Sequence, residues 1–394
     1  MTTRCNCVFC ITPPHVLRKL LESRNKEIRQ AALNTLLLTE RMRGERGRRS
    51  VVQGVAPAAG RRTVYDCQNR EAIPSAVLAR TEDGPPSSDQ SVNRAFDGLG
   101  ATREFYKNVL ERNSIDDSGM RLDAYVHRGT RYNNAFWNSS EMVFGDGDGI
   151  LFNDFTNSLD VIGHELTHGV TEFTAGLEYQ NQSGALNESM SDVFGSLVKQ
   201  WSLKLTANQA DWLIGAEVFT PSVGGDALRS MKAPGTAYDN VELGKDPQPD
   251  HMSKFVVLPN TAEGDWGGVH INSGIPNKAF YLVATAIGGN AWDAPGIIWY
   301  ESLRASSHDT QFQQFADTTF AMSGQRYGTG SNEQLAVTMA WAEVGVPVSD
   351  TKIADKAGPA PDDDPMVKLA AQLASIADNM HAIAREMAAL KGKR

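Results

Sequence analysis

The chain is poor in cysteine: four occur in 394 residues, bunched at Cys5, Cys7 and Cys10 with Cys67 alone. A scaffold held by several disulfides is therefore excluded. The bunch has gaps of one and two residues and no second cluster, which makes a weak zinc knuckle, so it reads as plain, redox-sensitive thiols. Long apolar runs are missing too. No stretch approaches the roughly 18 to 20 apolar residues that a membrane-crossing helix requires, so no membrane span is expected. The first residues, MTTRCNCVFCITPP, hold no continuous apolar segment ahead of a small-residue cleavage site, and a standard secretory signal is not expected there.

Positive charge is scarce overall but concentrated at one end. The formal net charge is −9, yet residues 1–62 hold thirteen Lys/Arg against four Asp/Glu. The first segment is thus basic and the remainder strongly acidic, so the two attract each other. A basic arm also suits nucleic acid, but the aromatic interleaving and fold signals of such modules are absent, and no nucleic-acid partner is expected. Residues 1–60 are read as a prosegment.

Apolar positions Val16, Leu17, Leu20, Leu21, Ile28, Leu33, Leu36 and Leu37, following Pro13-Pro14, predict one or two short helices. Gly44 to Arg62, rich in Gly, Arg, Ala and Pro, reads as an exposed linker where nicking is tolerated. From about 63 to 158, β-branched runs such as Arg61–Tyr65 and Leu122–His127 alternate with turn clusters, including Asp83–Ser88 and GDGDG at 145–149. Beyond 159 the helical period dominates, closing with Ser331-Asn-Glu-Gln334 as a capping box. Residues 350–365 are a polar Pro/Asp linker. In 366–394, Met366, Leu373, Met380 and Met387 alternate with Leu369, Ile376, Ile383 and Leu390 as a heptad seam, so this segment is expected to self-associate or bind a partner helix.

His164-Glu165-Leu166-Thr167-His168 carries the chemistry. Two histidines one helical turn apart point at a single ion, with a carboxylate beside them to act as base. Ile162, Leu166, Val170 and Phe173 fall on the opposite helix face, so a buried side and a metal-facing side coexist. Further on, Gly184-Ala-Leu-Asn-Glu188-Ser-Met-Ser-Asp192 places Glu188 and Asp192 on one face, with Met190, Val193, Phe194, Leu197 and Trp201 on the other. Two histidines and Glu188 leave the fourth position of a tetrahedral zinc open, the arrangement of a catalytic ion.

HELTHGVTEFTAGLEYQNQSGALNESMSDVFG resembles the active-site core of the thermolysin family of neutral metalloproteases. YNNAFWN at 132–138, GDGDG, LRSM at 228–231 and GGVHINSGIPNKAFY at 267–281 resemble its remaining signatures, in the same order. The short basic prosegment and the NESMSDVFGSLVKQ wording look most like the protealysin subgroup. The resemblance implies an α+β fold with a sheet-rich N-terminal domain, 61–200, ending in the zinc-binding helices. A helical C-terminal domain, 201–349, faces it across a cleft. It implies a zinc endopeptidase acting on proteins or peptides and made as a latent precursor, with one catalytic Zn2+. Secretion without a standard signal peptide is implied as well, the alternative being a cytoplasmic precursor.

Carried onto this sequence, the resemblance makes Glu165 the base, Tyr179 and His270 the groups that stabilise the oxyanion, and Asp265 the residue that orients His270. Asn187 and Asp192 match the groups that fix His168 and His164. Asn134, Ala135 and Arg229 match positions that hold the substrate backbone. Phe152, Phe155, Val161, Ile214 and Leu228 match the pocket for the side chain after the scissile bond, implying cleavage before Leu, Phe, Ile or Val. The family's paired calcium site retains Asp160 and Asp211, but Lys199, Leu213 and Ala216 replace other ligands, so an intact paired site is not expected. Asp226, with Thr220 and Val223 nearby, matches a single-calcium position. The competing reading is an inert peptide-binding or scaffold protein of the same fold.

Overall fold

The structure, a computed structural model, describes residues 9–49 and 61–349. The heptad seam, the 350–365 linker, Cys5 and Cys7 lie outside them.

The chain enters as a short strand, β1 (Phe9–Cys10), followed by helices α1 (Pro14–Leu20) and α2 (Lys26–Arg49). Pro14 opens α1 at a position where its missing N–H costs nothing, as the Pro13-Pro14 signal implied. The α2 helix is longer than the sequence suggested. It runs through Gly44 and Gly47 and occupies the first part of the expected linker, because Glu and Arg around the glycines are good helix formers.

Strands β2 (Arg62–Asp66) and β3 (Val77–Thr81) precede α3 (Gln90–Leu110), which Asp89 caps by accepting from Ser91 N–H at 2.8 Å. After it come β4 (Leu122–Val126), β5 (Ala135–Trp137) and β6 (Glu141–Phe144). All six strands form one sheet in the order β1-β5-β6-β4-β2-β3, with β1 antiparallel to β5 in the register Phe9↔Trp137, Cys10↔Phe136. A strand from the basic segment thus completes the sheet at the edge where the helical half begins.

Helices α4 (Leu159–Glu172) and α5 (Asn181–Leu203) carry the two metal motifs and lie against each other. Two glycines allow the approach. A Cβ on Gly195 would stand 2.4 Å from the Asp160 carbonyl oxygen, and one on Gly163 would stand 3.0 Å from the Gly195 Cα. Any larger side chain at Gly195 would push the ligands of one helix away from those of the other.

Short strands β7 (Leu213–Ile214) and β8 (Arg229–Ser230) pair antiparallel, and β9 (Asp239–Asn240) pairs with β10 (Gly244–Lys245). Helices α6 (Asp265–Asn272), α7 (Gly274–Ile287), α8 (Ala294–Ala305), α9 (Phe312–Tyr327) and α10 (Asn332–Glu343) follow. Phe280, Trp299, Phe315 and Trp341 form their aromatic core, with the two indoles parallel at 6.2 Å. The expected capping box is only half made. Ser331 accepts from Gln334 N–H, but the Gln334 side chain turns to Gly330 N–H and the Phe320 carbonyl. The reciprocal box caps α9 instead, between Gln311 and Gln314.

Residues 9–42 are built into the compact unit that extends to Ser349. Leu38 and Met42 of α2 bury against Ile73, Tyr132, Phe136 and Val143. Thr39 shares a 3.1 Å hydrogen bond with the Tyr132 hydroxyl, and Thr35 Oγ1 accepts from Asn133 N–H at 2.9 Å. The ion pairs Arg41–Glu71 and Arg131–Glu27 that cross to this segment are exposed and contribute little. Apolar burial and strand pairing hold it in place more than the charge split does.

Candidate active site

His164, Glu165 and His168 project from α4, and Asn187, Glu188 and Asp192 from α5, all buried. The His164 Nδ1–H donates to Asp192 Oδ1 at 2.8 Å, and the His168 Nδ1–H donates to Asn187 Oδ1 at 2.8 Å. Asn187 is fixed in turn by its Nδ2–H bond to the Leu177 carbonyl at 3.0 Å. Both imidazoles therefore present an Nε2 lone pair, and these two atoms face each other at 3.0 Å. Glu188 oxygens lie 3.5 and 3.6 Å from the same nitrogens, and Glu188 Oε2 is buried without a hydrogen-bond donor. Three electron-rich groups converging in a dry site repel one another unless a cation sits among them. Two imidazoles and one carboxylate are the donor set zinc prefers, so the residues fit the metal.

Glu165 lies beside this triad. Its Oε2 accepts from the Trp137 N–H at 3.0 Å, while burial and the nearby Glu188 push its pKa well above the usual carboxylate range. Tyr179 donates to Glu188 and shares a 3.2 Å hydrogen bond with His270 Nε2. His270 is gripped twice by Asp265, through Nδ1–H at 2.6 Å and its backbone N–H at 2.9 Å. Burial alone would lower its pKa, but Asp265 and Glu188 outweigh it and raise the imidazole to about 9. With Asp265 behind it, the imidazole presents its Nε2–H as a donor.

That grip depends on a left-handed run. Asp265, Trp266, Gly267 and Gly268 all have positive φ, at 53°, 52°, 85° and 78°. Two non-glycine residues in this region cost roughly 1–2 kcal/mol each, strain of the kind found at functional sites. A Cβ on Gly267 would also meet Asn181 Oδ1 at 2.3 Å.

Arg229 forms a two-pronged bond to Asp192, with Nε and Nη2 each 2.8 Å from an oxygen, and Asn277 Nδ2–H adds a third donor at 2.8 Å. Burial would raise the Asp192 pKa, but Arg229 and His164 hold it far below the usual range. One carboxylate therefore couples a metal ligand to the residue expected to hold substrate. Phe152 and Phe155 stack at 6.0 Å, and Leu228 N–H donates to the Ile214 carbonyl at 3.0 Å. Val161 is buried on α4, one turn before Glu165.

The cleft is occupied by the chain itself. His270 Nε2–H donates to the Cys10 carbonyl at 2.9 Å, and Ile11 N–H donates to the Ala135 carbonyl at 3.2 Å. Arg229 Nη1–H donates to the Ile11 carbonyl at 3.0 Å, and Thr12 N–H to Asn134 Oδ1 at 3.0 Å. Every backbone-holding residue expected from the sequence grips this strand. Sequence reasoning missed the strand itself, because Cys10-Ile11-Thr12 is too short for a period-2 pattern. It also missed Asn277 and the Trp137 amide. Asn277 stands within a signature that was noted, but nothing there shows which side chain reaches Asp192.

The fold and the three-ligand centre define a zinc metallopeptidase. The thermolysin metallopeptidase catalytic domain matches residues 59–172, and its alpha-helical domain matches 175–346. An extracellular metalloprotease of Pectobacterium carotovorum subsp. carotovorum is 46% identical over 346 residues, covering 86% of this chain and 97% of that protein. Protease PrtS of Photorhabdus sp. (strain Az29) is 44% identical over 352 residues, covering 86% and 92%. The structure of the precursor of protealysin, a metalloproteinase from Serratia proteamaculans, is similar at a TM-score of 0.77 and 46% identity, covering 86% of this chain and 99% of that one. The chain belongs to the thermolysin metallopeptidase family, in its protealysin-like group, and is a zinc metalloendopeptidase with a precursor form.

Proposed function

We propose that this endopeptidase cuts before a bulky apolar residue, using Glu165 as base, and that residues 1–60 keep it latent. The observation that carries the reading is the convergence of His164 Nε2, His168 Nε2 and Glu188 beside the Glu165 carboxylate. Bound zinc supplies positive charge that acidifies a water and polarises the substrate carbonyl. Glu165 takes the proton of the attacking water and passes it to the leaving nitrogen. His270 Nε2–H and the Tyr179 hydroxyl donate to the carbonyl oxygen as it turns negative, with Asp265 keeping His270 aimed. Asn187 and Asp192 hold the imidazoles in the ligating tautomer. Asn134, Ala135 and Arg229 bind the substrate backbone, so many sequences are accepted. The buried apolar set Phe152, Phe155, Val161, Ile214 and Leu228 selects Leu, Phe, Ile or Val after the cut.

The finer expectations follow the same line. Domains of 61–200 and 201–349 support the cleft. Lys199 stands in for paired calcium, leaving at most a single ion near Asp226. The enzyme acts outside the cell, as the name of the extracellular metalloprotease it resembles suggests, and the 366–394 seam joins copies or binds a partner helix. The function is tested by stripping the matured protein with a chelator, then restoring zinc. Hydrolysis of an apolar peptide should vanish and return; activity that survives stripping overturns the reading.

A further inference from the structure

The strand in the cleft runs in the direction of a substrate. The groups around one of its peptide bonds match what hydrolysis requires. The carbonyl oxygen of Cys10 meets the His270 donor, where negative charge develops in the reaction. The next nitrogen, that of Ile11, faces the Ala135 carbonyl, two residues along β5 from the Trp137 N–H that holds the Glu165 carboxylate. The base that must protonate a leaving nitrogen is thus held by the strand that pairs with this one. Arg229 and Asn134 hold the residues after the bond. Ile11, a fully buried β-branched residue, has the side chain the proposed pocket selects. A strand threaded in reverse would put an N–H where His270 donates and would lose the Arg229 contact.

We propose that the Cys10–Ile11 bond is a self-cleavage site, cut by the chain's own active centre, and that this cut leaves the enzyme latent. The inference rests on the function proposed above. The oxygen of a water joins the Cys10 carbonyl carbon, the bond to Ile11 nitrogen breaks, and both water protons end on that nitrogen. Cys10 leaves as a carboxylate and Ile11 becomes a new ammonium terminus. A cavity of about 220 Å³ bounded by Cys10, Thr12, Leu17, Asn134 and His270 leaves room for water beside the bond. Residues from Ile11 onward stay in place. Val16, Leu17 and Leu20 of α1 are buried, and Arg18 donates to the carbonyls of Ala262 and Glu263. Leu38 and Met42 remain docked further along. Activation then requires a second event that removes α1 and α2.

Full-length protein is loaded with zinc, diluted over a hundredfold range and followed by mass spectrometry, with Glu165→Gln as control. The expected product begins at Ile11, forms at a rate independent of concentration, is absent in Glu165→Gln and does not yet cut an added apolar peptide. A second readout needs no chemistry. In full-length Glu165→Gln, with or without zinc, the Ile11 and Thr12 amides should exchange at least tenfold more slowly than in a free peptide of residues 1–20. Exchange at the free-peptide rate overturns the register. An intact N-terminus in a preparation whose matured form cuts the added peptide overturns the self-cleavage site and spares the protease reading. Loss of both activities overturns both.

Discussion

Lys199 places an ammonium among three carboxylates from separate parts of the chain. Asp160 on α4 is at 3.0 Å, Asp211 before β7 at 3.3 Å and Glu217 after it at 3.0 Å. Burial alone would lower the lysine's pKa, but Asp160, Glu217 and Asp211 more than offset it and the amine stays charged. Asp160 is fully buried, and removing the cation leaves its charge uncompensated, so Lys199→Ala should destabilise the protein by about 3 kcal/mol. The melting temperature of the wild-type chain should hardly move with a calcium-selective chelator. Differential scanning calorimetry checks both, with Asp226→Asn removing the single-ion position, and a large calcium-dependent fall in that variant would show that a metal, not Lys199, joins these groups. Lys199, Asp160 and Asp211 were legible in the sequence. Glu217 was not, since a one-residue step around a tight turn decides whether Ala216 or Glu217 faces the lysine.

At the scale of elements, α4 and α5 were the most legible part, because their apolar faces repeat at helical spacing and their polar faces carry residue types with few other uses. The docking of α1 was not legible. His15 on that helix had no motif around it, yet it is half-buried, with Nε2 sharing a 3.0 Å hydrogen bond with the Tyr238 hydroxyl and a buried Nδ1 that is unpartnered. Burial lowers its pKa from 6.5 to about 4; Asp265 opposes this, while His270, Arg229 and Arg18 add to it. The docked state therefore favours neutral His15 and the released state lets it protonate. Its contribution to docking is complete above the released pKa of 6.5 and is lost as pH falls toward 4. Docking of α1 should weaken by up to about tenfold per pH unit across that window. Amide exchange of α1 in Glu165→Gln protein should accelerate accordingly, and His15→Gln should flatten the profile. Equal pH profiles for the two proteins would contradict this assignment.

At the scale of the molecule, the sequence located the zinc helices and the sheet-rich and helical halves through residue patterns that are local. It did not reveal that the basic segment adds a strand to the sheet, because that pairing joins Cys10 to Phe136 across most of the sheet-rich half. The heptad seam of 366–394 lies outside the described residues, and none of the catalytic motifs in the sequence draws on it. Truncation at Pro365 should leave peptide hydrolysis unchanged while lowering the mass seen by light scattering; equal monomeric masses would rule out self-association through the seam. The most direct measurement concerns Glu165 alone. Zinc content and peptide hydrolysis of matured Glu165→Gln protein should show about one zinc per chain, with kcat/KM lower by several orders of magnitude, because the ligands remain and the base is gone. Near-normal hydrolysis in that variant would contradict the mechanism.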